Sequence, residues 1–266
     1  MAGRAGLGAI PSVARSQDGF RRSRHAKMAS FCTSRAALLR FLRSRPARGV
    51  LLWRRVATDL VEIDQEKPSP EALDRAAVFV RRGKVVAIPT DALYTLVADP
   101  FNLKAVQQVF NAKGREINRS LPMLVSDALM AEELAKQVPE SFRVLARRFW
   151  PGALAVILPA SARVPLRATG NTGRLAVRQS ASVVVQGLIE RLGHPLIATS
   201  ANISGSPTCR SGIDVFGMMD GRVDLVLDGG LCSGPGATTV DLTEPCWKMI
   251  RQGAISEQEI AACLDV

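Results

Sequence analysis

The chain has 266 residues, of which 47% are hydrophobic, enough for one large or two small domains with a sizeable core. Its formal net charge of +11 is unevenly placed, because residues 1–58 contain 13 Lys or Arg and one acid, whereas the remainder contains 22 Lys or Arg and 23 acids. The basic character belongs to the N-terminal stretch and does not indicate that the rest of the chain binds nucleic acid.

Cysteine and histidine usage excludes several kinds of site. The five cysteines lack the spacing of a zinc site or of a dithiol pair, and an odd, scattered set is typical of a reducing compartment. Beyond the basic stretch the sequence has one histidine, His194, in a Gly-His-Pro turn, so neither a histidine triad nor a histidine metal cluster is expected. No apolar run approaches the length that spans a bilayer.

Residues 1–58 form a basic extension rich in Arg, Ala and Ser. Within it, 36–56 has the pattern of a basic amphipathic helix, and the composition is that of a mitochondrial transit peptide. A disordered basic tail and a translated upstream region, with Met28 as one possible true start, are the other interpretations, and we favour these two. We therefore expect a cytoplasmic protein with one folded domain over 59–266, or a mitochondrial one if the transit peptide is genuine.

Helices are predicted where apolar residues recur at helical spacing after a cap. Ser69-Pro70 begins the first helix, Asn102 caps the second and Gly114 ends it. The predicted helices cover 70–82, 103–113, 127–137, 140–149, 182–192, 213–219 and 256–264. Short apolar runs predict strands at 84–88, 121–125, 153–158, 174–178, 195–199, 223–227, 238–242 and 247–250.

The irregular alternation of these elements predicts a mixed α/β domain with α+β character instead of a regular parallel sheet. Polar clusters stand at the ends of four elements, and crevices of α/β sheets lie at strand ends. The clusters are 89–94, 113–119, Arg174 with Arg178, and 200–205, which Thr238, Thr239 and Arg251 join late in the chain. For 200–205, a plain strand-to-turn junction is the alternative interpretation.

Three cations lie within seven residues at the end of the second predicted helix, namely Lys113, Arg115 and Arg119. Because Gly114 ends the helix, their side chains can converge, and convergent cations suit a polyphosphate. Basic residues also favour helix C-termini through the helix dipole, which is the alternative for Lys113.

Two further features leave alternatives open. Arg178 ends an apolar strand and needs an anionic partner, which could be Asp91, Glu190 or a ligand carboxylate. The glycine-rich stretch 228–236 could wrap a phosphate with backbone N–H groups, but it lacks a nucleotide-binding fingerprint, and a flexible hairpin loop is the favoured interpretation.

Motifs in chain order resemble those of the threonylcarbamoyl-AMP synthase family, also called the YrdC family. The matching segments are Pro89-Thr90-Asp91-Ala92-Leu93-Tyr94, Lys113-Gly114-Arg115, Arg148-Phe149-Trp150-Pro151-Gly152, Ala176-Val177-Arg178, 199–205, Leu227-Asp228-Gly229-Gly230, Thr238-Thr239-Val240-Asp241 and Ile250-Arg251-Gln252-Gly253. Each motif alone is weak, whereas their common order over about 70–264 is specific. The resemblance implies a single YrdC-like domain in which a twisted mixed parallel and antiparallel sheet with flanking helices surrounds a central crevice.

The chain departs from the family pattern at several positions. Ala92 stands where the family has a Thr that contacts the threonine substrate, and Thr95 replaces a Gly. Arg119 keeps the charge of a family Lys, and Ala237 replaces a Ser. Two hydroxyls on the substrate side are therefore missing. A buried polar ligand group left unpaired is unfavourable, so each loss is expected to lower the affinity about 10-fold or more.

The resemblance implies a nucleotidyltransferase that makes L-threonylcarbamoyladenylate from ATP, L-threonine and bicarbonate, releases pyrophosphate and serves modification of adenosine 37 in tRNAs. Mg²⁺ is expected with the ATP substrate, and no metal ligand of the protein is implied. The implied catalytic residues are Lys113, Arg115 and Arg178. The implied threonine site comprises Thr90, Ala92, Leu124, Arg178 and Ser200, and the implied ATP site comprises Lys113, Arg115, Arg119, Asn202, Arg210 and Arg251.

The implied partners are a downstream tRNA-modifying transferase complex and, weakly, tRNA, with double-stranded RNA binding as a further family property and no membrane contact. One alternative is a non-catalytic RNA- or nucleotide-binding module on the same fold, which the missing hydroxyls favour. The near-neutral body and the aromatic content of 5% argue against it. The other alternative is an enzyme that adenylates a different amino acid, which Ala92 makes possible.

Overall fold

The structure is a computed structural model that describes residues 57–115 and 119–264. Except for its last two residues, the extension predicted for 1–58 lies outside the described residues, as does the helix considered for 36–56. None of the helices in the described ranges is both long enough and apolar enough to span a membrane. In chain order the elements are β1 (Asp59–Glu62), α1 (Pro70–Arg81), β2 (Val86–Ile88), β3 (Thr95–Ala98), α2 (Leu103–Lys113), β4 (Met123–Leu124), α3 (Ala128–Leu134), α4 (Glu140–Phe149), β5 (Leu154–Pro159), β6 (Arg174–Arg178), α5 (Val183–Leu192), β7 (Leu196–Ser200), α6 (Gly212–Met219), β8 (Leu225–Asp228), β9 (Thr238–Asp241), β10 (Lys248–Arg251) and α7 (Glu257–Leu264).

Local signals set the helix ends as predicted. Ser69 accepts a hydrogen bond from the backbone N–H of Ala72 at the start of α1, and Asn102 accepts two from the first turn of α2. Gly114 ends α2 in the left-handed conformation with a φ of 59°, which glycine adopts without steric cost. Helix α3 is shorter than predicted, because Ala135 leaves the helix to form an antiparallel bridge with Ala160.

The strands form one mixed sheet in the order β1-β8-β2-β3-β7-β4-β6-β5-β9-β10. Four neighbouring pairs are parallel, namely β1–β8, β8–β2, β4–β6 and β5–β9, and the other five are antiparallel. The mixed sheet predicted from the sequence is thereby confirmed. The hairpin predicted for 228–236 is wrong, because β8 and β9 stand far apart in the sheet and the segment between them crosses from one half to the other.

Helices cover the two faces of the sheet unequally. On one face, α2, α3, α4, α6 and α7 bury a large apolar core against strands from β2 to β9. On the opposite face, α1 and α5 form a smaller core against β8, β2, β3, β7 and β4 alone. The part of this second face formed by β6, β5 and β9 therefore carries no helix, and that part of the sheet is where a cleft opens.

Candidate functional site

A cleft of about 450 Å³ opens on the same sheet face as α1 and α5, over the strands that these helices leave bare and over Thr95, Leu124 and Ala198 beside them. Its floor is made of small side chains, including Ala155, Ala176 and Ala198. Successive strand residues point to opposite faces, so these alanines face the cleft while their neighbours pack in the core beneath. Small residues at these positions leave the space that a ligand needs.

Seven of the residues predicted for the site line this one cleft, although they come from distant parts of the chain. They are Thr90, Ala92, Arg115, Leu124, Arg178, Ser200 and Arg251. Four other predicted residues lie outside its lining, namely Lys113, Arg119, Asn202 and Arg210. Arg119 and Arg210 are both exposed.

Arg178 is held in place by two protein acceptors. Its Nη2 donates to Asp91 Oδ2 at 2.5 Å, and its Nε donates to the carbonyl of Gly152 at 2.8 Å. Of the three anionic partners considered for it, the structure therefore shows Asp91. Burial lowers the pKa of Arg178, and the charge of Asp91 opposes that shift, so the guanidinium stays charged. Among the described residues its Nη1 meets no acceptor, which leaves one donor edge for a ligand.

Arg115 presents a second donor to the cleft. One terminal nitrogen donates to the carbonyl of Ser120 at 3.3 Å, and the guanidinium lies 5.8 Å from the centre of the Phe110 ring. Its Nε is buried and has no hydrogen-bond partner within the described part of the chain. Burial lowers the pKa of Arg115, and repulsion from Arg119 adds to this shift. A buried donor without a partner is unfavourable.

Arg251 reaches the cleft because β10 contains an irregularity. The pairing of β10 with β9 shifts between Met249 and Arg251, so that Arg251 stands opposite Thr239 and Ile250 is the extra residue. Such a bulge changes the direction of the side chains that follow it. Arg251 also donates to the carbonyl of Ala237 at 2.9 Å. The sequence carries no pattern that reveals this bulge.

Lys113 holds the loop that follows β7. Its side chain is buried, and its Nζ donates to the carbonyls of Ser200 and Asn202 at 2.6 and 3.0 Å and to Asn202 Oδ1 at 2.9 Å. Three bonds satisfy an ammonium group. Burial, with a smaller contribution from Arg115, lowers the pKa of Lys113 to about 8. To touch ATP as predicted, Lys113 would have to exchange a loop oxygen for a phosphate oxygen.

Asn202 is likewise engaged inside its own loop. Its Oδ1 accepts from Ser200 Oγ at 2.7 Å as well as from Lys113, and its Nδ2 donates to the carbonyl of Ser206 at 2.6 Å. The amide therefore shapes the loop that presents Ser200 to the cleft. Its predicted contact with the nucleotide would require one of these bonds to open.

The segment after β2 forms the opposite wall. Thr90 Oγ1 donates to the carbonyl of Leu93 at 2.7 Å and accepts from the N–H of Ala92 at 3.2 Å, so this hydroxyl closes a turn. The hydroxyl of the buried Tyr94 accepts from the N–H of Gly229 and donates to the carbonyl of Gly230, both at 2.9 Å. The N–H of Gly229 is occupied by the tyrosine and that of Gly230 by Asp228 Oδ1 at 3.0 Å, so neither of these two groups is available to a phosphate. For the rest of the stretch 228–236 the phosphate-wrapping interpretation stays a prediction.

Eleven lining residues are not among the predicted site residues, and Thr95, Ala155 and Ala176 are three of them. Thr95 lies directly opposite Ser200 in the antiparallel pair of β3 and β7, so both face the cleft. Ala155 and Ala176 form the floor. Thr95 could have been predicted only if β3 had been predicted, and this short strand follows a polar turn that does not indicate a strand. The alanines have no polar or charged group that would mark them as site residues.

Comparisons with known proteins agree with this fold. The family model Sua5_yciO_yrdC, described as telomere recombination, matches residues 78–253. A threonylcarbamoyl-AMP synthase of Pyrococcus abyssi is 40% identical over 186 residues, which are 70% of this chain and 55% of that protein. A threonylcarbamoyl-AMP synthase of Coxiella burnetii is 34% identical over 164 residues, which are 60% of this chain and 87% of that protein.

A solved structure is similar as well. The crystal structure of P. abyssi Sua5 complexed with L-threonine matches with a TM-score of 0.74 and 36% identity, over 78% of this chain and 61% of that one. The present chain thus spans little more than half the length of the P. abyssi relatives. The family model nevertheless matches well over half of this chain, and the cleft lies within that match, so the chain belongs to the Sua5/YciO/YrdC family.

Proposed function

We propose that the chain makes L-threonylcarbamoyladenylate from ATP, L-threonine and bicarbonate and releases pyrophosphate. The observation that carries the proposal is the single cleft lined by Arg115, Arg178 and Arg251 above a floor of small side chains. Three guanidinium groups suit a reaction that brings two anions together. The names of the P. abyssi and C. burnetii relatives support the same activity.

The proposed chemistry divides the cleft between two ligands. The amine of threonine first takes up bicarbonate with loss of water, which gives a carbamate. An oxygen of this carbamate then forms a bond to the α-phosphorus of ATP while the bond from that phosphorus to the β-phosphate oxygen breaks, and pyrophosphate leaves. No nucleophile of the protein takes part, so the protein contributes by orienting the ligands and stabilising charge.

Each arginine has a proposed task. Arg178, fixed by Asp91 and Gly152, receives the carboxylate of the amino acid on its remaining edge. Arg115 and Arg251 hold the triphosphate, with Arg119 assisting from the exposed rim. Ser200, kept in place by the loop that Lys113 holds, contacts the threonine substrate.

Mg²⁺ enters this proposal as an ion bound to the phosphates of ATP. Within 57–115 and 119–264, no group of three or more His, Cys, Asp or Glu side chains could hold a metal ion. Asp91 stands beside the cleft, but its two oxygens already accept from Arg178 and Ser180. The proposal therefore places Mg²⁺ on the phosphates of ATP.

The product is a mixed anhydride of a carbamate and a phosphate, which water hydrolyses. We therefore propose that it passes to a tRNA-modifying transferase complex in the cytoplasm. Direct contact between tRNA and the body beyond residue 58 is proposed to be weak, because the net charge of that body is close to zero.

The test is pyrophosphate release by the full chain from ATP and bicarbonate, with L-threonine, L-serine, L-alanine or no amino acid. We expect release that depends on threonine and a KM for threonine that rises at least about 10-fold in Arg178→Gln. Arg163→Gln removes an exposed arginine paired with Glu133 and is the matched control.

Two other outcomes have defined meanings. Release that depends on serine or alanine would identify an adenylating enzyme for a different amino acid, which the methyl group of Ala92 in the cleft wall favours. No release from folded protein that still binds ATP would leave a non-catalytic nucleotide-binding module.

A further inference from the structure

We propose that Ser180 is a positioning residue that fixes the guanidinium of Arg178 through Asp91. Neither Ser180 nor Asp91 lines the cleft, so Ser180 acts at one remove from any ligand. The proposal rests on the function proposed above for the identity of the ligand of Arg178. The arrangement of the three side chains does not depend on that function.

The three side chains form a continuous chain of hydrogen bonds. Ser180 is fully buried, and its Oγ donates to Asp91 Oδ1 at 2.5 Å. Asp91 Oδ2 accepts from Arg178 Nη2, also at 2.5 Å. Hydrogen bonds that end on a carboxylate are short and strong. Because each oxygen of Asp91 has its own partner, the carboxylate cannot rotate without losing a bond.

Ser180 is itself fixed by the start of α5. Its Oγ accepts from the backbone N–H of Ser182 at 3.2 Å. Its carbonyl accepts from Gln186 Nε2 at 2.8 Å. The position of the guanidinium is therefore set by the rigid start of a helix, through one serine and one aspartate. A site held in this way by supporting hydrogen bonds is preorganised for its ligand.

Loss of the serine hydroxyl should loosen Arg178 without removing it. In Ser180→Ala, Asp91 keeps its bond to Arg178 but gains freedom to rotate, and the donor edge of the guanidinium loses its fixed place. We expect the KM for L-threonine to rise about 10-fold. The KM for ATP should stay within about twofold of the wild-type value, because the triphosphate is assigned to other arginines.

Ser182→Ala is the matched control. Ser182 stands two residues away, caps α5 by accepting from the N–H of Val185, and donates to the carbonyl of Pro89 at 3.4 Å, but it makes no bond to Asp91. Its removal should lower the melting temperature and leave the KM for threonine unchanged. Ser180→Thr keeps the hydroxyl and should restore most of the affinity for threonine. Equal changes in KM for Ser180→Ala and Ser182→Ala, or no change for Ser180→Ala, would overturn the proposal.

A second measurement needs no ligand. Hydrogen exchange of the Arg178 Nε–H, followed by NMR on the full chain, should be faster in Ser180→Ala than in the wild type and unchanged in Ser182→Ala. Unaltered exchange in Ser180→Ala would count against positioning even if the enzyme is active. Faster exchange in a protein that releases no pyrophosphate would uphold positioning while the proposed function fails.

If Ser180→Ala does not fold, Asp91→Asn keeps the shape of the link and removes its charge. Asp91→Asn should raise the KM for threonine and leave the KM for ATP unchanged. Equal effects on both KM values would contradict the proposal.

Discussion

At the scale of single residues, the buried ammonium of Lys113 makes folding depend on pH. Its pKa is lowered from 10.5 to about 8, first by burial and then by the charge of Arg115. Between these two pH values the unfolded chain holds the proton and the folded chain does not. Because the unfolded state binds more protons, the free energy of unfolding rises with pH across this window. The charged lysine thus opposes folding most at neutral pH, although its hydrogen bonds order the loop after β7.

Urea unfolding of the wild type and of Lys113→Met, at about pH 7.5 and about pH 9.5, tests this reasoning. The stability of the wild type relative to the variant should increase by about 2 kcal/mol at the higher pH, as the lowered pKa requires. Lys104→Met, at an exposed position in the same helix, is the matched control. A difference between wild type and Lys113→Met that is the same at both pH values would contradict the lowered pKa.

At the scale of elements, the segment between β8 and β9 packs against the wall of the cleft. A Cβ at Gly234 would lie 2.0 Å from the carbonyl oxygen of Asp91 and 2.9 Å from Ala92 Cα, whereas a Cβ at Gly236 would meet nothing within 4 Å. Gly234→Ala should therefore force the segment away from Asp91 and destabilise the fold by about 1–3 kcal/mol. Gly236→Ala should change stability by less than about 0.5 kcal/mol. Thermal unfolding of the two variants tests this difference in stability. Equal melting temperatures would contradict the close packing at Gly234.

Some helices and strands could be predicted from the sequence and others could not. Helix α2 was predicted with its observed bounds because Asn102 and Gly114 act on neighbouring residues. Strand β3 was not predicted, because it has only four residues and follows a polar turn. Strand pairing depends on partners far along the chain, as in the pairing of β1 with β8, and the hydrophobic pattern contains no record of it.

The candidate site likewise has a part that the sequence predicted and a part that it did not. Charged residues at element ends were found, because Arg115, Arg178 and Arg251 stand out in their motifs, and all three line the cleft. The residues that hold these arginines in place were not predicted from the sequence. The link from Ser180 through Asp91 to Arg178 joins residues almost 90 positions apart in sequence, so only the fold brings them together.

At the scale of the whole molecule, the unequal covering of the sheet separates the residues that serve binding from those that serve stability. Ala176 and Val177 are neighbours in β6 and point to opposite faces. Ala176 lines the cleft, whereas Val177 is fully buried in the larger core. Enlarging each side chain in turn therefore probes one face at a time.

Ala176→Leu should fill part of the cleft and raise the KM for ATP or threonine at least about 10-fold, while the melting temperature changes little, because the added atoms enter open space. Val177→Leu should instead overpack the core and destabilise the protein by about 1–3 kcal/mol, with both KM values unchanged. Melting temperatures and pyrophosphate release, measured for both variants of the full chain, give the comparison. If Ala176→Leu were the more destabilising of the two and left both KM values as they were, the bare face would belong to the core, and the ligands would have to bind elsewhere.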